Sequence, residues 1–126
     1  MTKWITKSVV LAIHEQQIAE HGGAQGIRDI GLLESALARP ENLASSGEPD
    51  IAALAAAYAF GIARNHPFLD GNKRTSYVVT QVFLRLNGRD VEAEEATRLQ
   101  VWLDLAAGDM TEEQLTSWLR SNLVKI

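Results

Sequence analysis

The stretch Ile51-Ala-Ala-Leu-Ala-Ala-Ala-Tyr-Ala-Phe-Gly-Ile-Ala-Arg-Asn65 limits the possible folds more than any other part of the chain. Ala is the strongest helix former, and its single methyl lets neighbouring helices approach closely. Leu54, Tyr58 and Ile62 recur at helical spacing, so the segment reads as a central helix with others packed around it. Val9, Val10, Ile13 and Ile18 follow a capping residue, Thr6, and Gly22-Gly23 ends that run. A short helix is predicted over Ile30 to Arg39, capped by Asp29, with Ile30, Leu33 and Leu37 on one stripe and a stop at Pro40. Glu41 to Asp50, with Ser45-Ser46-Gly47 and Pro49, is predicted as a loop and as the mobile element. Val78, Val79, Val82, Phe83 and Leu86 keep period in a helix from Asn72 to Leu86, ended by Asn87-Gly88. Two more helices are predicted. One runs from Glu92 to Ala106, closed by Gly108, with Glu92, Glu94 and Glu95 as a solvated first turn; the other starts at Thr111, whose Thr-Glu-Glu-Gln is a capping-box pattern. The strand signal is weak. The fold class is therefore all-α, a compact bundle of about six helices forming a single domain over 1–126.

Charge narrows the partners. A net charge of −4 and a pI near 5.3 argue against a broad nucleic-acid footprint, which needs a surplus of Lys and Arg on one face. No direct nucleic-acid contact is expected, and basic residues must act locally. The chain has no Cys, so neither disulfides nor thiolate zinc sites are available. Met1-Thr2-Lys3-Trp4-Ile5 does not open a signal peptide, and no stretch approaches the ~20 apolar residues of a membrane span, so a cytoplasmic protein is expected.

The chemistry is concentrated in His66-Pro-Phe-Leu-Asp-Gly-Asn-Lys-Arg74, where a turn opens onto the predicted helix from Asn72. The first N–H groups of a helix have no intrahelical partner, and together with the positive end of the dipole they favour an anion near Gly71 and Asn72. Lys73 and Arg74 oppose that dipole by roughly 0.3–1 kcal/mol each, and a bound polyphosphate would reverse the sign. Asp70, a hard carboxylate beside these donors, suits Mg2+, which usually joins one or two carboxylates to substrate phosphates. His66 is the natural group to take a proton from an attacking hydroxyl. Taken singly, each residue has an ordinary explanation: a solvated histidine, an Asp-Gly turn, an Asn cap. Their combination with two cations at an unfavourable dipole end does not. His14 and His21 lack a third ligand and are assigned no metal, and Gly22, Gly23 and Gly26 follow no strand and form no dinucleotide loop. Trp4, Trp102 and Trp118 are assigned to the core or an interface.

The nine-residue motif resembles the Fic/Doc signature, and Lys73, where nucleotidylating Fic enzymes usually carry Gly, resembles the Doc branch. His14, Gly22-Gly23-Ala-Gln-Gly26-Ile-Arg-Asp29, Gly31-Leu-Leu-Glu-Ser-Ala-Leu37 and Phe83-Leu-Arg-Leu-Asn-Gly88 are similar to Doc-type toxins outside the motif. The resemblance implies His66 as general base, Asp70 as magnesium ligand, and Gly71, Asn72, Lys73 and Arg74 as a phosphate cradle, with Arg64 a candidate for a further phosphate contact. It implies ATP and Mg2+ as cofactors, a threonine of elongation factor Tu as acceptor, and a Phd-like antitoxin as partner. The antitoxin is expected in a groove lined by the N-terminal helix and Ile30 to Leu43, with Ser45, Ser46 and Gly47 helping to dock the acceptor. Tyr77 stands where the nucleotidylating signature has a second Arg, and with Lys73 it favours a nucleotide bound in another orientation, terminal phosphate toward the acceptor. Two alternatives stand beside this reading: an enzyme of the same fold that transfers AMP, and a catalytically silent antitoxin-binding module. The inhibitory pattern Ser/Thr-x-x-x-Glu-Gly/Asn of self-restrained Fic proteins is absent from the chain.

Overall fold

The computed structural model describes residues 1–126. Its elements are α1 (Lys7–His21), α2 (Ile30–Ser46), α3 (Ile51–Asn65), α4 (Asn72–Leu86), β1 (Arg89–Val91), α5 (Glu95–Ala107), α6 (Glu112–Asn122) and β2 (Leu123–Lys125). The all-α reading holds, with one small antiparallel pair added: Arg89 faces Lys125, Asp90 faces Val124 and Val91 faces Leu123. None of the helices is long and apolar enough to cross a membrane.

The alanine-rich helix α3 lies at the centre, buried from Ala52 along most of its length, with α2, α4, α5 and α6 against it and α1 against α4. Small side chains make this possible. At Gly61 an added Cβ would sit 3.1 Å from Ala36 Cβ and 3.2 Å from Ala36 Cα, so α2 and α3 touch through their backbones. Ser76 of α4 joins three helices: its hydroxyl donates to the Ala59 carbonyl at 2.7 Å and accepts from the Trp102 indole N–H at 3.0 Å. Leu33, Ile62, Phe83, Leu84, Leu105, Leu115 and Leu119 close the core around them.

The second helix differs from the sequence reading. It does not stop at Pro40 but continues to Ser46, and the predicted mobile loop shrinks to Gly47 through Asp50. Pro40 has no N–H, so the Ala36 carbonyl loses its helical partner, a defect that ends many helices. Here Pro40 is buried, and the freed carbonyl oxygen lies inside the tight α2–α3 contact, 3.3 Å from where a Gly61 Cβ would sit, so tertiary packing outweighs the local penalty. Ser45 and Ser46 are consequently helical, and their hydroxyls donate back to the Glu41 and Asn42 carbonyls at 3.0 and 3.2 Å. Helix α5 also starts later than expected. Glu92 donates its N–H to the Asn122 carbonyl beside the β1–β2 pair, and of the three glutamates only Glu95 lies in the helix. The caps at Thr6, Asp29 and Asp50 and the Thr111–Gln114 capping box form as the residue types dictate.

Because the α2–α3 contact leaves no room at Gly61, Gly61→Val should destabilise the protein by about 1–3 kcal/mol or more through overpacking, read as a lower urea midpoint with an unchanged slope. A second expectation concerns pH. Asp50 caps α3 through the Ala53 N–H and holds Arg120 at 2.6 and 3.1 Å. The Arg120 hydrogen bond, with lesser help from Ala53, outweighs burial and holds the Asp50 carboxyl below its ordinary 3.8. A depressed folded-state value stabilises above the unfolded value and is lost as pH falls through the folded one. The stability gap between wild type and Asp50→Asn should thus be constant near neutrality and close at pH values below 3.8. A gap unchanged down to about pH 2 would contradict this assignment of the pair.

Candidate functional site

Helix α3 delivers the motif. Its final residue is Asn65, and His66 at the C-cap is left-handed, with φ 48°, in a position where Gly usually stands. A non-Gly residue there is strained, so the conformation must be held from outside. Arg28 holds it, donating from Nε to the His66 carbonyl at 2.6 Å and from Nη2 to the Asn65 carbonyl at 2.8 Å. A guanidinium at the negative end of α3 also complements the dipole. The backbone around Arg28 adds to the clamp: the Arg28 and Asp29 N–H groups donate to the Pro67 carbonyl, and Leu69 N–H donates to the Gly26 carbonyl, forming an antiparallel bridge between Ile27 and Phe68.

The turn then closes on itself. Asn72 accepts from the Phe68 N–H at 2.9 Å and donates to the Phe68 carbonyl at 3.0 Å, so its carboxamide is committed to the turn and only its backbone remains for a ligand. Phe68 is buried and stacks on the His14 ring, with centroids 3.8 Å apart and planes 7° from parallel. His14 Nε2 lies 2.8 Å from the Asp70 carbonyl oxygen, which can only accept, so Nε2 carries the proton. His14 is thus more than a passive core residue; it pins the backbone of Asp70. Gly23 fits the same spot closely: with φ 121°, its missing Cβ would lie 2.6 Å from Asp70 Oδ2.

At the start of α4, Gly71 is left-handed and no side chain caps the helix, leaving its first N–H groups turned to the outside. They open on a cleft of about 440 Å3 lined by His66, Leu69, Asp70, Gly71, Asn72, Lys73, Arg74 and Ala106. His66 and Lys73 are exposed. Asp70 Oδ1 accepts from the Gly71 N–H at 2.8 Å and Oδ2 from the Ala24 N–H at 3.3 Å, which leaves the carboxylate fixed but with free lone pairs. Arg74 reaches across to α1, donating from Nη2 to the Gly22 carbonyl at 3.2 Å, while its buried Nε finds no partner.

Six of the sequence-predicted residues therefore share one cleft. Arg64 does not line it: its guanidinium lies over the Phe60 ring, 5.4 Å from the centroid, and against Gly108. Ser45, Ser46 and Gly47 lie at the end of α2, also away from the lining. Sequence reasoning missed Gly23, Ala24 and Arg28 as supports, and missed what His14 does. The signal for His14 was present, since it shares a buried face with Val10, Ile13 and Ile18, and a buried polar group must find a partner.

The two cations can be separated by experiment. Lys73 stands against the α4 dipole without a protein partner, so Lys73→Ala should leave ligand-free stability equal or raise it by a few tenths of a kcal/mol. Arg74→Ala should lower it by about 0.5–1.5 kcal/mol because the bond to the α1 terminus is lost, contrary to the sequence expectation that both cations only destabilise. Thermal unfolding of both variants reads the difference.

Comparison with known proteins adds an independent line. A sequence model described as the Fic/DOC family matches residues 4–84. "Toxin Doc" of Mycolicibacterium smegmatis is 35% identical over 96 residues, covering 75% of this chain and 72% of that protein. "Protein kinase doc" of Escherichia phage P1 is 31% identical over 118 residues, 92% of each. With the motif turn, the left-handed His66 and the uncapped start of α4 already in place, these matches settle descent: the chain belongs to the Fic/Doc family.

Proposed function

We propose that the protein is the toxin of a toxin–antitoxin pair, a Doc-type protein kinase that transfers the γ-phosphate of ATP to a threonine hydroxyl of a translation protein, with elongation factor Tu the expected acceptor. The observation that carries the proposal is the convergence of His66, Asp70, Lys73 and the uncapped N–H groups of α4 on one open cleft. Aligned N–H groups and cations suit a polyphosphate, because they meet charge that a transferring phosphoryl group spreads over its oxygens. His66, exposed beside them, accepts the proton of the acceptor hydroxyl; the oxygen then bonds to the γ-phosphorus and ADP leaves with the bridging oxygen. Arg28 and His14 take no part in bond making, and hold the turn that carries His66 and Asp70.

For Mg2+ the fit rests on Asp70. Its carboxylate is oriented by two N–H donors, retains free lone pairs and faces the cleft, a donor set matched to an ion that takes one carboxylate along with phosphate oxygens and water. Bound there, Mg2+ would neutralise phosphate charge. A kinase is favoured over a nucleotidyl transferase by Lys73 in the cradle and by Tyr77, which brings no charge: its ring meets Trp102 edge-on at 5.0 Å and its hydroxyl accepts from Gln81. Restraint by a Phd-like antitoxin is supported by a groove of about 370 Å3 between the start of α1 and α2, lined by Trp4, Ile5, Leu37 and Ala38 among others. That groove suits an amphipathic helix folding on binding.

With purified elongation factor Tu, ATP labelled at the γ-phosphate should mark the acceptor and ATP labelled at the α-phosphate should not. The reverse pattern would make the protein a nucleotidyl transferase. His66→Ala should cut transfer by ~10²–10⁴-fold with the fold intact, the usual contribution of a general base. A folded His66→Ala protein of near-normal activity would remove His66 from the mechanism.

A further inference from the structure

Of the cations around the motif turn, Arg28 is taken up by the Asn65 and His66 carbonyls, and Lys73 and Arg74 line the cleft. Arg64 does neither. It is exposed on the last turn of α3, just before His66, and forms no ion pair within the protein. Its guanidinium is nevertheless held in place. It lies over the half-buried Phe60 ring, 5.4 Å from the centroid, and against Gly108, the left-handed C-cap of α5. Arg39 lies over the same ring at 5.6 Å but is neutralised by Glu112. Contact with a ring leaves the N–H edges of an arginine free, and such an edge matches a carboxylate in paired hydrogen bonds. Ala106, shortly before Gly108, lines the cleft beside His66, so Arg64 stands at the α5 rim of the site.

We propose that Arg64 is a docking residue for the protein acceptor, and that it selects an acceptor carrying a carboxylate close to the hydroxyl that receives the phosphate. The proposal rests on the kinase reading above and deepens it by naming the chemistry of the acceptor surface. The acceptor hydroxyl must reach His66, so the acceptor lies over the end of α3. Even small protein contacts cover about 500–600 Å2 of each partner, and Arg64, so close to the base, falls inside such an area. Covering an unpaired cation strips its water, a cost that only an opposite charge offsets. This chain supplies none, so the acceptor must. A neutral acceptor surface would lose affinity there and a basic one would be repelled, so Arg64 sorts acceptors by the sign of their charge. In a chain of net charge −4 the positive rim is a local feature, and it fixes where an acidic segment can approach.

The test is steady-state transfer from γ-labelled ATP to purified elongation factor Tu by the full chain as wild type, Arg64→Ala, Arg64→Lys and Arg64→Glu, with KM read separately for acceptor and for ATP. Arg64→Ala should raise the acceptor KM about tenfold, the worth of one charge-assisted pair, with kcat and the ATP KM unchanged. Arg64→Lys should recover only part of the loss, because an ammonium keeps the charge without the fork. Arg64→Glu should raise the acceptor KM by a further ~tenfold through repulsion. Changing one Asp or Glu near the modified threonine of the acceptor to Lys should then restore transfer by Arg64→Glu and weaken it with the wild type. An unchanged acceptor KM, or a loss that no charge reversal on the acceptor repairs, overturns the proposal. A raised ATP KM with the acceptor KM unchanged overturns it too, and returns Arg64 to the phosphates. A lower kcat and a lower melting temperature with both KM values unchanged would make Arg64 a structural support between α3 and α5 instead. Wild-type protein that transfers no phosphate to this acceptor refutes the kinase reading itself, and the proposal falls with it before any variant is compared.

Discussion

The carbonyls of Asn65 and His66 emerge from the end of α3 with no helical partner, and the guanidinium of Arg28 takes both. Without that fork, a left-handed His66 would be an uncompensated strain, and the chain could relax toward a conformation that carries the imidazole elsewhere. The remaining contacts of the turn follow from this anchoring. Alongside the fork the Arg28 and Asp29 N–H groups donate to the Pro67 carbonyl and Leu69 to that of Gly26, and Phe68 of the closed turn stacks on His14. The geometry of the motif turn is thus set by a loop that lies outside the motif.

A consequence is that the backbone of the cleft is held firmly while two of its side chains stay open to solvent. Asn72, Asp70 and Phe68 are held by paired hydrogen bonds and by a stacked imidazole, whereas the His66 side chain and Lys73 face solvent. Under the kinase reading proposed above, such a division suits a folded protein as second substrate, because its hydroxyl would have to reach His66 directly while the phosphates are kept in register.

Much of this could be read from residue types. Alanine content and the period of Leu54, Tyr58 and Ile62 identify α3, and Thr111 through Gln114 identifies the start of α6, because both signals are local. Pro40 misleads for the opposite reason: its cost is local, but the contact that outweighs it, Ala36 against Gly61, joins residues distant in sequence. The β1–β2 pair is three residues long on each side and has too little alternation to register. The same distinction divides the site. His66 through Arg74 are contiguous and legible as one motif. Arg28 and Gly23 act from elsewhere in the chain, and a single Arg or Gly carries no mark of the turn it supports.

The bare start of α4 has a kinetic side as well. Backbone amides that bond to nothing in the folded protein exchange their protons with water without waiting for any part of it to open, while those from Thr75 onward, beginning with its bond to the Gly71 carbonyl, are shielded. The first turn of this helix therefore behaves toward solvent like a loop although it is shaped like a helix. Any anion seated there would convert it, slowing exchange at two or three amides and nowhere else along the rod. The vacancy that makes the helix end receptive also makes its occupancy visible to deuterium.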